Sequence, residues 1–268
     1  MSEPESPAPP AVAPPLPPLQ VLYEDPHLIA VCKPAPLLTQ APEGLPSLEG
    51  LVKAYIKEKH AKPAGVYLGI PHRLDRPVSG VVVFARNTKA AQRVHAQFQD
   101  RKVSKVYWAA VEGDVTPDAG VWEDWVRKIQ AEARVVRAEP DEPGAKKATL
   151  GYKVLQRLTT GATLIELAPD TGRMHQLRVQ AAWRGHPVFG DVMYGAPRPF
   201  GPAWDNPRDK CIALHARRLT IAHPFTREAL TFTAPLPAYW EAVGVQVGED
   251  PPESSPVSPV PHTQSGSL

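Results

Sequence analysis

Short runs of apolar and β-branched residues follow one another along most of this chain, and only two segments have a clear helical pattern. These runs do not alternate regularly with helices, which argues against a repeating βαβ unit. The chain is therefore predicted to be an α+β protein with a mixed, largely antiparallel sheet and few helices. We predict strands at 21–25, 28–34, 80–86, 103–113, 133–138, 148–157 and 162–169, with a loop leading into another strand within 211–224.

Each helical segment begins with a residue type that favours a helix N-terminus. Asn87 is expected to cap a helix that runs to residue 102, with Gln97 on its polar face. Thr171 is expected to cap a second helix over residues 172–184, which ends before a glycine. The apolar face of the first helix is formed by residues at helical spacing: Ala91, Val94 and Phe98.

Proline is concentrated at the two ends of the chain. Eight of the first 18 residues are proline, and residues 251–268 are rich in proline and serine. Such segments have little apolar surface to bury, whereas the chain as a whole is 43% hydrophobic. We therefore predict a disordered arm at 1–18, one folded unit at 19–247, and a disordered tail at 248–268.

Charge is distributed unevenly, although the formal net charge is only +2. Residues 51–110 contain twelve lysines and arginines against three acidic residues, and residues 171–220 contain eight against three. Between these two basic blocks, residues 111–170 contain eight basic and eleven acidic residues. The basic blocks can form one positive face that attracts a phosphate backbone. The alternative is an ordinary solvated surface.

Several classes of site are not indicated by the sequence. The two cysteines and nine histidines show no metal-ligand spacing, and there is no glycine-rich phosphate loop or nucleophile elbow. No apolar run is long enough to cross a membrane, and the N-terminus lacks a signal-peptide pattern. We therefore expect a cytoplasmic protein without a metal, a cofactor or a membrane partner.

The segment GIPHRLDRPVSGVVVFARN (69–87) contains the strongest candidate for a reactive carboxylate, Asp75. Pro71 and Pro77, on either side of Asp75, constrain the backbone of this segment as a loop. Arg73 and Arg76 lie beside the aspartate. Nearby cations keep a carboxylate ionised, as a nucleophile or a general base requires. Taken alone, an Arg-Leu-Asp triplet is more often a surface ion pair.

The segment PDTGRMHQLRVQAAWRGHPVFGDVMYG (169–195) places His175 and Arg178 on one side of the predicted second helix. An arginine on a well-packed helix is held rigidly, which suits a partner for a catalytic carboxylate or a phosphate. Considered alone, the segment also fits an amphipathic helix with a solvated polar face.

Tyr107 lies on the predicted strand KVYWAAVEG (105–113), close to Lys102 and Lys105. An aromatic ring beside cations can stack on a nucleic-acid base while the cations contact phosphate. The alternative is a tyrosine packed in the sheet with its hydroxyl bonded.

Taken together and in this order, these segments resemble the RluA family of RNA pseudouridine synthases. The resemblance spans about residues 20–240 and implies that family's catalytic fold, with a central cleft. It also implies isomerisation of uridine in ribosomal or transfer RNA, by a monomer that needs no cofactor. The matching segments are HRLDRPVSG (72–80), KVYWAAVEG (105–113), TGRMHQLRVQAAWRGHPVFGDVMYG (171–195) and ALHARRLTIAHP (213–224).

The resemblance also assigns roles to five residues. It implies that Asp75 is the catalytic carboxylate, that Arg178 forms an ion pair with it, and that Tyr107 stacks on the target base. Leu214 is expected to line the uracil pocket, and Arg73 to help hold the flipped-out nucleotide. Three positions depart from the family's common residues and bear on substrate details: Cys32, Val78 and Gln180.

Two other functions stay open from the sequence. A non-catalytic RNA-binding module would keep the basic blocks without needing both Asp75 and Arg178. A nucleoside or glycoside hydrolase usually needs two carboxylates, and Asp75 has only basic neighbours in the sequence. Within the isomerase hypothesis, Asp75 either attacks C1′ of the ribose or removes a sugar proton to give a glycal-like intermediate.

Overall fold

A computed structural model describes residues 18–61, 65–129, 131–203 and 210–248. The proline-rich arm and the tail expected from the sequence lie outside these residues, apart from Pro18 and Gly248. The boundaries of the folded unit therefore stay a prediction. No helix in the described ranges is both long and apolar enough to span a membrane.

Within the described residues, ten strands form one sheet in the order β1-β2-β3-β9-β4-β8-β7-β5-β6, with β10 paired to β9. All pairings between strands are antiparallel except that of β3 with β9. The predicted α+β class with a mixed, largely antiparallel sheet is confirmed. The strands are β1 Gln20–Glu24, β2 Leu28–Lys33, β3 Ser79–Ala85, β4 Ser104–Glu112, β5 Ala119–Ile129, β6 Arg134–Ala138, β7 Lys146–Arg157, β8 Ala162–Pro169, β9 Leu214–Ala222 and β10 Ala229–Thr233.

In the part of the chain that the structure describes, three α-helices accompany the sheet: α1 Leu48–Lys59, α2 Thr88–Gln99 and α3 Gln176–Trp183. Helix α2 packs against β3 and β9, and α3 packs against β5 and β6. The sequence analysis missed α1, β5 and β10. A signal for α1 is nevertheless present, because Ser47 caps it by accepting a hydrogen bond from the Gly50 amide. Its buried residues also recur at helical spacing: Leu48, Val52 and Ile56.

Helix α2 begins where the sequence predicted, but its polar face differs. Asn87 caps it by accepting a hydrogen bond from the Ala90 amide at 2.9 Å. Gln97, expected on the polar face, is buried. Its amide donates to the Ala222 carbonyl and accepts from the Ala222 amide, both at 2.8 Å. The side chain thus pairs with backbone at the end of β9, which no helical periodicity could indicate.

Helix α3 is shorter than predicted, because residues 172–175 are not helical. Thr171 does not cap it; its hydroxyl lies 2.8 Å from Oε1 of Gln176. Gln176 also accepts from the Arg173 amide and donates to the Thr149 carbonyl, which ties this segment to β7. These local bonds compete with helix formation, and His175 adopts a left-handed conformation with φ 50°.

Strands β3 and β9 meet where each begins, and this junction positions the cleft. Ser79 and Gly80 pair in parallel with His215 and Ala216. The Ser79 hydroxyl lies 2.8 Å from Nδ1 of the buried His215. Gly80 has φ 121°, and a Cβ there would overlap the Ala216 backbone. The segment before β3 is therefore fixed against the segment before β9.

We predict that Gly80→Ala lowers the free energy of unfolding by about 2–4 kcal/mol, through backbone strain and overlap with β9. Gly50→Ala is the matched control, because it makes the same change inside α1 at ordinary contact distance. It should raise stability by about 0.5–1 kcal/mol. Urea denaturation measures both changes. If the two variants unfold at the same urea concentration, the junction accommodates the added methyl group without loss of stability.

Candidate active site

A cavity of about 760 Å³ opens between the loop before β3, strand β4, the segment leading into α3, and the start of β9. The residues assigned roles by the family resemblance all line it: Arg73, Asp75, Tyr107, Arg178 and Leu214. They come from four separate parts of the chain. The fold therefore brings every one of these sequence-predicted residues to one place.

Buried side chains hold the loop that carries Asp75 through hydrogen bonds to its backbone. Lys33 is completely buried, and its ammonium donates to three carbonyls, among them that of Arg76 at 3.2 Å. The Thr39 hydroxyl donates to the Leu74 carbonyl at 2.9 Å and accepts from the Leu74 amide at 3.1 Å. Burial lowers the pKa of Lys33 to about 7, against the attraction of Asp75. The Asp75 side chain stays 28% exposed, and thus accessible from the cavity.

Arg178 lies between two carboxylates. Its Nε and Nη2 donate to both oxygens of Asp191 at 2.6 and 2.7 Å, while Nη1 lies 3.5 Å from Oδ2 of Asp75. Burial alone would lower the pKa of Arg178, but hydrogen bonds and charge from Asp191 raise it, and Asp75 contributes. The guanidinium is thus fixed by Asp191 and presents its remaining nitrogen to Asp75.

A second side chain, His175, faces the same oxygen of Asp75. Its Nε2 lies 3.6 Å from Oδ2, and its Nδ1 lies 2.9 Å from the Tyr194 hydroxyl. The Tyr194 ring also lies under the Arg178 guanidinium, 5.1 Å from its centre. Burial lowers the pKa of His175, although Asp75 opposes the shift. At neutral pH the imidazole is therefore uncharged, and Arg178 supplies the positive charge beside Asp75.

Tyr107 and Leu214 form the less polar part of the cavity. Tyr107 follows an irregularity in the pairing of β4 with β9. Burial raises the pKa of its hydroxyl, and the negative charge of Asp75 adds to the shift, so Tyr107 is protonated at neutral pH. Leu214 is 3% exposed at the start of β9. An aromatic ring, an aliphatic wall and a carboxylate together suit a flat, partly polar ring such as a base.

Basic side chains surround this interior. Arg73 is exposed, and the other basic residues of the wall are Arg101, Lys105, Lys128 and Arg173. Most come from the two basic blocks of the sequence, but Lys128 belongs to the stretch between them. A cationic rim around an apolar interior suits a polyanion that inserts one ring into the cavity.

Sequence reasoning did not identify Asp191 or Tyr194, although both lie in a segment that it singled out. Asp191 directly precedes the short 3₁₀ turn Val192–Tyr194, and Tyr194 is the last residue of that turn. The turn lies between Gly190 and Gly195, with φ of 81° and 91°. An acidic residue between two glycines, shortly after a helix that carries an arginine, is the sequence signal that could have identified Asp191 as the partner of Arg178. No group of three potential metal-ligating side chains occurs among the described residues.

Comparison with known proteins gives consistent matches. The profile of the family described as RNA pseudouridylate synthase matches residues 27–183. A Haemophilus influenzae protein named dual-specificity RNA pseudouridine synthase RluA is 36% identical over 229 residues, which cover 82% of this chain and 95% of that protein. A Pasteurella multocida protein named tRNA pseudouridine synthase C is 31% identical over 232 residues, covering 83% and 93%. The structure of human RNA pseudouridylate synthase domain containing 4 aligns with a TM-score of 0.68 at 27% identity, covering 83% of this chain and 90% of that one.

We predict that Asp191→Asn lowers the free energy of unfolding by about 3–5 kcal/mol, because it leaves the buried Arg178 without its bidentate carboxylate. Glu142→Gln is the matched control, since it removes the same charge from the exposed pair with Arg127 and should change stability by less than about 1 kcal/mol. Chemical denaturation measures both. Similar small losses would show that Arg178 does not depend on Asp191.

Proposed function

This chain belongs to the RluA family of RNA pseudouridine synthases, and from that membership we propose that it isomerises specific uridines in ribosomal or transfer RNA, with Asp75 as the catalytic carboxylate. One observation carries the proposal: the half-buried Asp75 carboxylate opens into a cavity beside Arg178, Tyr107 and Leu214. The names of the relatives, one of dual specificity and one acting on tRNA, support the substrate class.

The reaction explains why a closed cavity is needed. The N1–C1′ bond of uridine breaks, the uracil turns, and C5 forms a new bond to C1′. C5 then loses its proton, and N1 gains one, so the overall mass is unchanged. The target nucleotide leaves its stack to reach the carboxylate, and the detached uracil has to be retained between the two bond changes.

Asp75 acts at the sugar, either by attacking C1′ or by removing a sugar proton to give a glycal-like intermediate. Both routes require an ionised carboxylate. Arg178 stabilises that ionised form from 3.5 Å. Because Asp191 holds the guanidinium through two hydrogen bonds, Arg178 needs no rearrangement when substrate enters.

The remaining residues bind the nucleotide. Tyr107 stacks on the extruded uracil, and its protonated hydroxyl is available for a later proton transfer. Leu214 closes the apolar side of the pocket and keeps the detached base in place. Arg73, exposed at the wall of the cavity, holds the flipped-out nucleotide.

The two rival functions are less well supported. A binding module has no use for a buried arginine that presents one nitrogen to the half-buried Asp75. A hydrolase needs a second carboxylate as proton donor. Asp191 does not fit that role, because it is 1% exposed and both of its oxygens are bonded to Arg178. Asp170, which lines the cavity with Asp75, is paired with Arg101 at 3.5 Å. Product mass separates these outcomes, since hydrolysis releases free uracil.

We also propose a monomer that acts in the cytoplasm without a cofactor. One chain supplies all five side chains of the cavity that we assign to the reaction. Cys32 and Cys211 are both thiols, which suits a reducing compartment. The isomerisation transfers no electrons to another molecule, so its chemistry requires no redox group.

We predict that Asp75→Asn abolishes pseudouridine formation while RNA binding stays within about threefold of wild type, because the amide keeps the shape but cannot act as a nucleophile or base. Asp100→Asn, at an exposed aspartate outside the cavity, is the control and should keep full activity. Nucleoside chromatography measures the conversion of uridine to pseudouridine, which leaves the mass unchanged. Wild-type turnover by purified Asp75→Asn would refute the proposed role.

We predict that Arg178→Met reduces turnover by at least about a hundredfold, and RNA affinity much less, because an ion pair that stabilises the reacting carboxylate is lost. Arg184→Met makes the same substitution just beyond α3, at an arginine paired with Asp124, and should keep turnover at a temperature where it is folded. Single-turnover kinetics and binding assays separate the two effects. Equal losses of turnover and affinity in Arg178→Met would mean that this arginine only contacts phosphate.

A further inference from the structure

The sheet extends beyond the cavity through the three neighbouring strands β7, β5 and β6. One side of these strands packs on α3, because Val126 of β5 and Val135 of β6 contact Val179 of the helix. Residues directly opposite one another in antiparallel strands, and residues two apart in one strand, share a face. The cross-strand register therefore identifies the charged side chains that lie on the same face of the sheet as these valines.

Three exposed cations share the α3 side with the valines. Arg137 and Lys146 both lie opposite Val126, and Lys128 lies opposite Val135. None of the three has a carboxylate partner among the described residues. Arg137 and Lys146 lie on either side of β5, so their Cα atoms are separated by two strand spacings, ~10 Å. We call Lys128, Arg137 and Lys146 the front cations.

On the opposite side of the same strands, Lys153 lies at the far end, opposite Ala119, whereas the three cations near β6 each have a carboxylate partner. Arg127 pairs with Glu142, Arg134 with Glu132, and Lys147 with Glu123, at 3.2, 3.8 and 2.8 Å. We call Arg127, Arg134 and Lys147 the back cations. Next to β6, the uncompensated positive charge therefore lies on the α3 side, and a stretch that is acidic overall presents one basic face there.

The front cations are continuous with the cavity. Lys128 lines its wall together with Arg173, which donates to the backbone of β7 and has no carboxylate partner among the described residues. An RNA strand whose target nucleotide occupies the cavity can therefore continue directly onto this face of the sheet. Lys and Arg without intramolecular partners bind phosphates without first breaking an ion pair.

We propose that the front cations form a track for the phosphate backbone of RNA next to the target nucleotide. The proposal rests on the proposed function for its choice of RNA as the polyanion. The track positions the strand without reading its sequence, because it offers point charges to phosphates. Close, unpaired cations also repel one another in the free protein, and bound phosphates relieve that repulsion.

The test compares two variants with the same change in charge and on the same strands. The front variant is K128Q/R137Q/K146Q, and the back variant is R127Q/R134Q/K147Q. Binding of bulk transfer RNA and of oligouridylates of increasing length is measured over a range of salt concentrations. Thermal unfolding of both variants is measured in parallel.

We expect the front variant to lose at least about tenfold in affinity for bulk transfer RNA, and its plot of log affinity against log salt to become shallower by about 2–3. The loss should grow with oligouridylate length, since longer strands reach more of the track. The back variant should stay within about twofold of wild type. The front variant should unfold at no lower temperature than wild type, because no ion pair is removed.

Equal affinity losses in the two variants, or no loss in either, would overturn the track. Polyglutamate that competes as well as RNA would also overturn it, because the face would then be a general polyanion surface. Pseudouridine formation by wild type is measured in the same samples. If only the front variant loses RNA affinity but wild type forms no pseudouridine, the proposed catalysis is refuted and the track stands. If wild type forms pseudouridine but the front variant binds RNA as well as wild type does, the track alone is refuted.

Discussion

The bidentate ion pair between Arg178 and Asp191 is the interaction on which the site depends. Both side chains are almost completely buried, so the guanidinium could not be held there without a carboxylate. Asp191 occupies two of the three guanidinium nitrogens and leaves Nη1 for Asp75. A single buried cation thus anchors one wall of the cavity and compensates the charge of the reactive carboxylate on the other.

The rest of the structure brings Asp75 to this cation and holds it there. The junction of β3 with β9 fixes the loop before β3 against the segment that carries Leu214. From the core, Lys33 donates to one carbonyl of the same loop, that of Arg76, and to two carbonyls just after β2, rather than to a carboxylate. Asp75 is consequently rigid in its backbone but open at its carboxylate, as the reaction that we propose at the ribose requires.

Electrostatics extend outward from this centre. Arg178 supplies the charge next to Asp75, while burial keeps His175 and Tyr107 in their neutral forms at neutral pH. Further out, Arg173 on the cavity wall and the front cations offer positive charge that is not paired with a carboxylate among the described residues. The arrangement separates chemistry at the centre from sequence-independent attraction at the periphery, which is what a modifying enzyme for a long polyanion needs.

The choice of Asp75, Tyr107 and Arg178 rested on the family resemblance of several segments taken together. Local pattern in the sequence was sufficient for eight of the ten described strands and for the cap of α2, because alternation and capping are properties of neighbouring residues. It was not sufficient for the start of α3, where Gln176 bonds to β7, or for Gln97, which pairs with β9. It also did not identify Asp191 as the main partner of Arg178, nor which cations face α3 without a carboxylate. These features depend on which side chains meet across strands and loops, and only tertiary packing decides that.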